Sequence, residues 1–177
     1  MIVNKVVVGP LETNCYLIIK DNKVLIIDPG DDFLKIKQEI GNKKVVGVII
    51  THNHFDHVGA LDECTNYYKI DKYDINNLDE GKNQIDDFVF DVIYTPGHKE
   101  DLISIFFDQD KMLFCGDFIF EDSIGRCDLP GGDFSKMILS ITNILKLDND
   151  TTIYPGHGNT TSIAKERNNL EEYTKFF

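Results

Sequence analysis

Short β-branched runs separated by turn residues fill the first part of the chain, at residues 6–8, 16–19, 24–27 and 45–50. Each such run predicts a strand. Asp21-Asn22 between the second and third runs is turn chemistry, which predicts a hairpin and an antiparallel start to the sheet; Pro29-Gly30 ends the third run. The period then changes. Phe33, Ile36 and Ile40 recur at helical spacing, with Asp31 and Asp32 placed to cap the start and Gly41 at the stop. Another helix is expected over residues 58–66, and the polar residues 71–81 predict a surface excursion whose role the pattern does not reveal.

The strand pattern partly repeats at residues 88–94, 102–107 and 111–115, with Asp108-Gln109-Asp110 as a connecting turn. Helical spacing returns in Phe134, Met137, Ile138, Ile141 and Leu145 behind the loop and cap Gly131-Gly132-Asp133. Residues 151–154 predict a strand, and Ile163, Arg167 and Leu170 mark a last helix. No linker or low-complexity tract interrupts this order, so residues 1–177 are expected to form one domain. A chain of this size buries roughly two-thirds of its unfolded surface.

Composition narrows the partners. The net charge of −12 argues against a nucleic-acid backbone, which needs clustered Lys and Arg. No apolar run approaches the ~20 residues of a membrane helix, and the first residues lack the basic leader and cleavage site of a signal peptide. Cys15, Cys64, Cys115 and Cys127 are scattered, without a CxxC pair, which predicts reduced thiols and a cytoplasmic setting.

The histidines carry the chemistry. All five, His52, His54, His57, His98 and His157, sit where a two-metal hydrolase would need them. Three fall within Thr51-His52-Asn53-His54-Phe55-Asp56-His57, and the other two end the triplets Pro96-Gly97-His98 and Pro155-Gly156-His157. In extended backbone, residues two apart point the same way, so His52 and His54 can offer imidazoles to one metal. Asp56 and His57, where the chain turns toward a helix, can serve a second. His98 and His157 each follow a strand, where Gly97, Gly156 and Gly158 allow tight bends, and Asp117 follows another as a bridging carboxylate. Imidazole and carboxylate without thiolate suit zinc best, with iron or manganese as alternatives.

Two such ions, roughly 3.5–4 Å apart, hold a shared water, lower its pKa toward about 7 and polarise a carbonyl. Hydroxide then becomes available for attack at neutral pH. A thiolate leaves without a strong general acid, because thiol pKa is only about 8.5, which makes a small acyl thioester the economical substrate.

In this order, His52-x-His54-x-Asp56-His57, His98, Asp117 and His157 resemble the metallo-β-lactamase superfamily over nearly the whole chain. Within it the chain looks most like the glyoxalase II branch, the hydroxyacylglutathione hydrolases and their short bacterial relatives. Thr13-Asn14-Cys15-Tyr16-Leu17, Ile27-Asp28-Pro29-Gly30 and the segment from Gly125-Arg126-Cys127-Asp128 to Asp133 carry that likeness. The resemblance implies an α/β fold, an αββα sandwich of two mixed sheets flanked by helices, with the site at one edge. It implies one metal on His52, His54 and His98, a second on Asp56, His57 and His157, and Asp117 bridging. Asp56 and Asp117 would be the catalytic carboxylates, Asp28 would orient the ligand loop by hydrogen bonding, and Arg126 would contact substrate. The likeness departs from the branch at Asp128 and Asn159, where tyrosines are usual. The sequence also ends at Phe177, without the C-terminal helical domain that grips glutathione, which weighs against glutathione as the carrier thiol.

Plainer roles suit other residues. Cys15 and Cys115 lie in strand-like runs and are expected in the core, Cys127 is expected as an ordinary loop thiol despite Arg126 beside it, and Tyr67-Tyr68 is expected in the core. Gly131-Gly132 lacks the Lys-Ser/Thr continuation of a phosphate cradle. Two other functions compete with the thioester hydrolase. One is a persulfide dioxygenase with a single iron on two histidines and a carboxylate. The other is a non-catalytic binding protein of the same fold, disfavoured because Asp56 and Asp117 would repel each other without metal.

Overall fold

Strands that are apolar on both faces must be covered on both faces, and this requirement sets the layering. A computed structural model describes residues 1–175. The first sheet is built from β1 (Ile2–Val8), β2 (Thr13–Lys20), β3 (Lys23–Ile27), β4 (Lys44–Ile49) and β5 (Lys72–Tyr73), in that spatial order. Its first three strands pair antiparallel, and β4 and β5 join in parallel. Between them run the helices α1 (Phe33–Ile40), α2 (Phe55–Val58) and α3 (Leu61–Tyr68).

The second sheet comprises β6 (Gly81–Ile85), β7 (Phe88–Tyr94), β8 (Ile103–Phe107), β9 (Met112–Gly116), β12 (Thr152–Pro155) and β13 (Thr161–Ser162), ordered β13-β12-β9-β8-β7-β6. Only the β12–β9 pair is parallel. A small hairpin of β10 (Ile119–Phe120) and β11 (Ser123–Ile124) stands apart, and α4 (Phe134–Ile144) and α5 (Ile163–Thr174) complete the described chain. Among the described residues no helix is long and apolar enough to cross a membrane.

Alternation along the strands sorts side chains into three layers. Tyr16, Ile18, Leu25, Ile27, Ile105 and Phe114 meet in the core between the sheets. Their neighbours Cys15, Leu17, Val24 and Ile26 turn the other way, onto Ile36 and Ile40 of α1 and Cys64 of α3. On the far side Phe106, Leu113 and Cys115 pack against Met137, Ile138 and Ile141 of α4 and Ile163 and Leu170 of α5. The arrangement is the expected α/β sandwich, two mixed sheets between helical layers.

Several local expectations are corrected. Residues 71–81 are not a mere surface excursion: β5 extends the first sheet, and Leu78 is buried in the inter-sheet core. Asp32 does not cap α1 with its side chain; it has φ 51°, and its Oδ2 instead accepts the Gly9 N–H at 3.0 Å. The expected helix over 58–66 is two helices broken at Gly59, where a Cβ would stand 2.2 Å from the Gly30 carbonyl oxygen. Tyr67 is 53% exposed rather than in the core, with the Lys37 ammonium over its ring. Asp133 does cap α4, accepting the Lys136 N–H.

The inter-sheet core sets the stability of the frame. Phe114 is fully buried, stacked on Tyr154 at 4.6 Å and edge-on to Tyr16 at 5.2 Å, whereas Val89, on β7 of the same sheet, is exposed. Phe114→Ala is expected to cost about 3–5 kcal/mol in denaturant unfolding, and Val89→Ala to stay within about 0.5 kcal/mol. Equal losses for the two would contradict this layering.

Candidate metal centre

The loops that follow β3, β4, β7, β9 and β12 gather at one edge of the sandwich. Backbone hydrogen bonds tie them together, across the two sheets from Ile103 N–H to Thr51 O and from Asn14 N–H to Gly156 O, and within the second sheet from Gly156 N–H to Gly116 O. Two sets of donors result, His52, His54, His98 and Asp117 in one, Asp56, His57 and His157 in the other. Every side chain expected as a ligand from the sequence is in one set or the other.

Within the first set, His54 Nδ1 lies 3.0 Å from both His52 Nε2 and His98 Nε2, and His98 Nε2 lies 3.6 Å from Asp117 Oδ2. In the second, His157 Nε2 is 3.2 Å and His57 Nε2 3.6 Å from Asp56 Oδ2. The other Asp117 oxygen, Oδ1, is 3.3 Å from His57 Nε2 and 3.5 Å from His157 Nε2, so the two oxygens of this carboxylate face the two sets. Donors each about 2.0–2.1 Å from one tetrahedral zinc stand about 3.3 Å apart. The observed spacings fit that.

Unsatisfied polar atoms make the same point independently. His57 Nε2 and Asp117 Oδ1 are close enough to attract each other but not aligned to hydrogen-bond, and both are buried without a partner. Such an orphan costs about 1–3 kcal/mol, and a cation between the two would satisfy both.

The rings are aimed from behind. His57 Nδ1 donates to Asp28 Oδ2 at 2.9 Å, His98 Nδ1 to the Arg126 carbonyl at 2.8 Å, and His157 Nδ1 to the Leu11 carbonyl at 3.0 Å. The Thr51 hydroxyl donates to Asp28 Oδ2 at 2.6 Å, which leaves it to accept from His52 Nδ1 at 3.1 Å. With the proton held on Nδ1, each of these four rings offers the Nε2 lone pair inward. Asp56 is held in turn, its Oδ2 accepting the Thr13 hydroxyl at 2.9 Å.

The Thr13-Asn14-Cys15-Tyr16 motif thereby acquires a physical reason. The Asn14 amide donates to the carbonyls of Pro155 and Gly158, and the Tyr16 hydroxyl to Pro155, so β2 pins the loop that carries His157. Gly156 is needed there for space: a Cβ would lie 2.2 Å from Asp117 Oδ1 and 2.7 Å from His57 Cε1. Gly158, at φ 73°, supplies the left-handed bend. Arg126 takes part through its backbone as well. Its carbonyl orients His98, while its exposed guanidinium makes a double hydrogen bond to Asp128. The thiol of Cys127 is pushed up by partial burial and by Asp133 and Asp128, so it has no activated character.

Burial and neighbouring charges set the protonation of these groups. Burial and the neighbouring His57 depress His52, and burial and His98 depress His54. For His57 burial acts downward too, but Asp28 and Asp117 outweigh it and raise the imidazole to about 10. His157 is raised by Asp117 against its own burial. Burial opposes ionisation of Asp117, yet the imidazoles of His157 and His57 keep it well below the usual carboxylate range.

The chain matches the family model described as the metallo-beta-lactamase superfamily over residues 8–73 and 65–157. It is 32% identical to hydroxyacylglutathione hydrolase GloC of Haemophilus influenzae, across 90% of this chain and 92% of that one. It superposes on the crystal structure of BLEG-1 B3 metallo-beta-lactamase with a TM-score of 0.91 at 29% identity, covering 98% of this chain and all of the other. On TTHA1623, solved in a di-iron-bound form, the TM-score is 0.85 at 28% identity, covering 93% and 97% of the two chains.

Two consequences are measurable. Ligation needs neutral imidazole, so loading zinc should expel protons that His57 and His157 otherwise hold, and apparent affinity should fall as pH falls through the neutral range. Calorimetry in buffers of different ionisation enthalpy would read that release; its absence would contradict the charge pattern. Gly156→Ala should leave the fold intact while lowering the bound metal per chain, as read by elemental analysis beside circular dichroism.

Proposed function

The chain belongs to the metallo-beta-lactamase superfamily, and on that premise we propose that it is a hydrolase of small acyl thioesters. The observation that carries the proposal is the Asp117 carboxylate, buried between two complete donor sets and turned with one oxygen toward each. His52, His54 and His98 would hold one cation, Asp56, His57 and His157 a second, with Asp117 shared. When bound, two divalent ions lower the pKa of water toward about 7 and polarise a carbonyl. Zinc suits these donors best, and the di-iron form of TTHA1623 keeps iron in view.

The protein's own part is orientation. Asp28, Thr51 and the carbonyls of Leu11 and Arg126 keep the Nδ1 protons on four rings, so that each of the four, when neutral, turns its Nε2 lone pair toward the centre. Thr13 keeps the Asp56 carboxylate from rotating away. The cations flanking the centre are already engaged, Lys99 with Asp101 at 3.2 Å and Arg126 with Asp128 at 2.7 Å. A leaving group that departs without a proton suits such a site, and a thiolate does so.

Support for a thioester also comes from the likeness to GloC, whose name describes hydrolysis of an acyl-thiol ester. Glutathione is a poor candidate for the thiol. Arg126 is paired with Asp128, and the Asn159 amide donates to Glu121 Oε2 at 2.9 Å, so neither stands free to receive a peptide carboxylate. A small-molecule substrate and a cytoplasmic setting go with this reading, the latter supported by four free cysteines.

Zinc-loaded protein should cleave hydroxyacyl thioesters of simple thiols, and Asp117→Ala should lower kcat/KM about a hundredfold or more while reducing bound metal. Inactivity across a broad thioester panel would end the proposal. One iron per chain with oxygen uptake on a persulfide would replace it with the dioxygenase reading.

A further inference from the structure

We propose that the cavity between Leu11 and Phe55 seats an apolar acyl arm, so that this chain selects among acyl groups by apolar size. The inference rests on the thioester reading above. The cavity measures about 230 Å³, and Val8, Pro10, Leu11, Phe55, Asp56 and the exposed Asp31 are among its lining residues. Asp56 is the lining residue shared with the centre, where its carboxylate faces His157 at 3.2 Å.

An isolated exposed apolar side chain needs no explanation. Here two line one cavity that also includes Asp56 of the second donor set, Leu11 at 50% exposure and Phe55 at 73%. Phe55 is held outward by its neighbours. It opens α2 between His54 and Asp56, both turned to the centre, and the following His57 is anchored on Asp28. Leu11 is fixed as well, because its carbonyl receives His157 Nδ1. Both walls are therefore positioned by the residues that build the centre.

Size identifies the occupant. An apolar cavity of about 150 Å³ admits benzene, and whole small-molecule pockets span roughly 300–1,000 Å³. The cavity at Phe55 is a subsite for one arm, of phenyl or short alkyl dimensions. None of the residues of the charged pairs Arg126–Asp128 and Glu121–Lys165 lines this cavity. The apolar arm thus has this wall to itself.

Straight-chain carboxylates from acetate to hexanoate, the acyl products of such thioesters, test the assignment by binding alone. Titrated into zinc-loaded protein and followed by NMR, they should bind about fourfold more tightly per added methylene until the cavity fills. Phe55→Ala should flatten that dependence, Phe55→Leu should retain part of it, and Leu139→Ala, exposed on α4, should leave it unchanged. A flat series in the unaltered protein, or a slope that survives Phe55→Ala, would overturn the inference. The two failures are separable: a flat series with thioesters still cleaved removes only the acyl subsite. A steep series lost in Phe55→Ala, with no thioester cleaved, removes only the thioester reading.

Discussion

A buried carboxylate at the end of β3 is the constraint from which the centre is built. Asp28 is 2% exposed, and it receives the Thr51 N–H and hydroxyl and the His57 Nδ1 proton. Through Thr51 it also governs His52. One side chain therefore aims an imidazole of each donor set, which places two rings in register without asking either to find its own rotamer. The backbone bears a local cost for this position. Asp28 sits at φ 51°, a left-handed conformation that Asp tolerates better than most residues.

Around that constraint the two sheets act as a rigid frame with complementary tasks. The first supplies the histidine loop after β4 and, through Asn14 and Tyr16, grips the loop after β12. The second supplies His98, Asp117 and His157 from three strand ends. Neither sheet alone holds a complete donor set, so the centre exists only where the inter-sheet core brings the two together. Glu166 extends the frame outward: buried on α5, it accepts the Asp122 N–H and the Thr161 hydroxyl, fixing the β10–β11 turn whose Phe120 ring lies 6.3 Å from His157.

How much of this was legible in the sequence depended on periodicity. Strands buried on both faces leave continuous apolar runs, and β2, β3, β4, β8 and β9 were readable for that reason, while β7 was readable by its alternation. β5, β10, β11 and β13, at two residues each, have no period to read, and polar β6 buries only Ile85. Such strands exist because a neighbour pairs with them. The donors were legible because histidine is scarce and its spacing specific. Their orienting partners were less so: a hydroxyl at Thr51 can do many things, and the carbonyls of Leu11 and Arg126 are common to every residue. At Arg126 side-chain chemistry drew attention to the guanidinium, while the backbone made the contact with the ring.

Charge explains how groups this closely spaced are tolerated at one site. Buried acidic and imidazole groups at 3.2 to 3.6 Å would repel or strand one another if each kept its ordinary protonation. Raised affinity of His57 and His157 for protons, together with depressed affinity of Asp117, makes ion pairs of the same atoms that would otherwise ligate. Protons and metal ions are then alternative occupants of one electrostatic need. Asp28 and the Leu11 carbonyl hold the far side of the His57 and His157 rings, which leaves Nε2 of each facing the centre. Such hydrogen bonds set ring orientation ahead of ligation, so less of the energy of binding ions would go into ordering the loops around them.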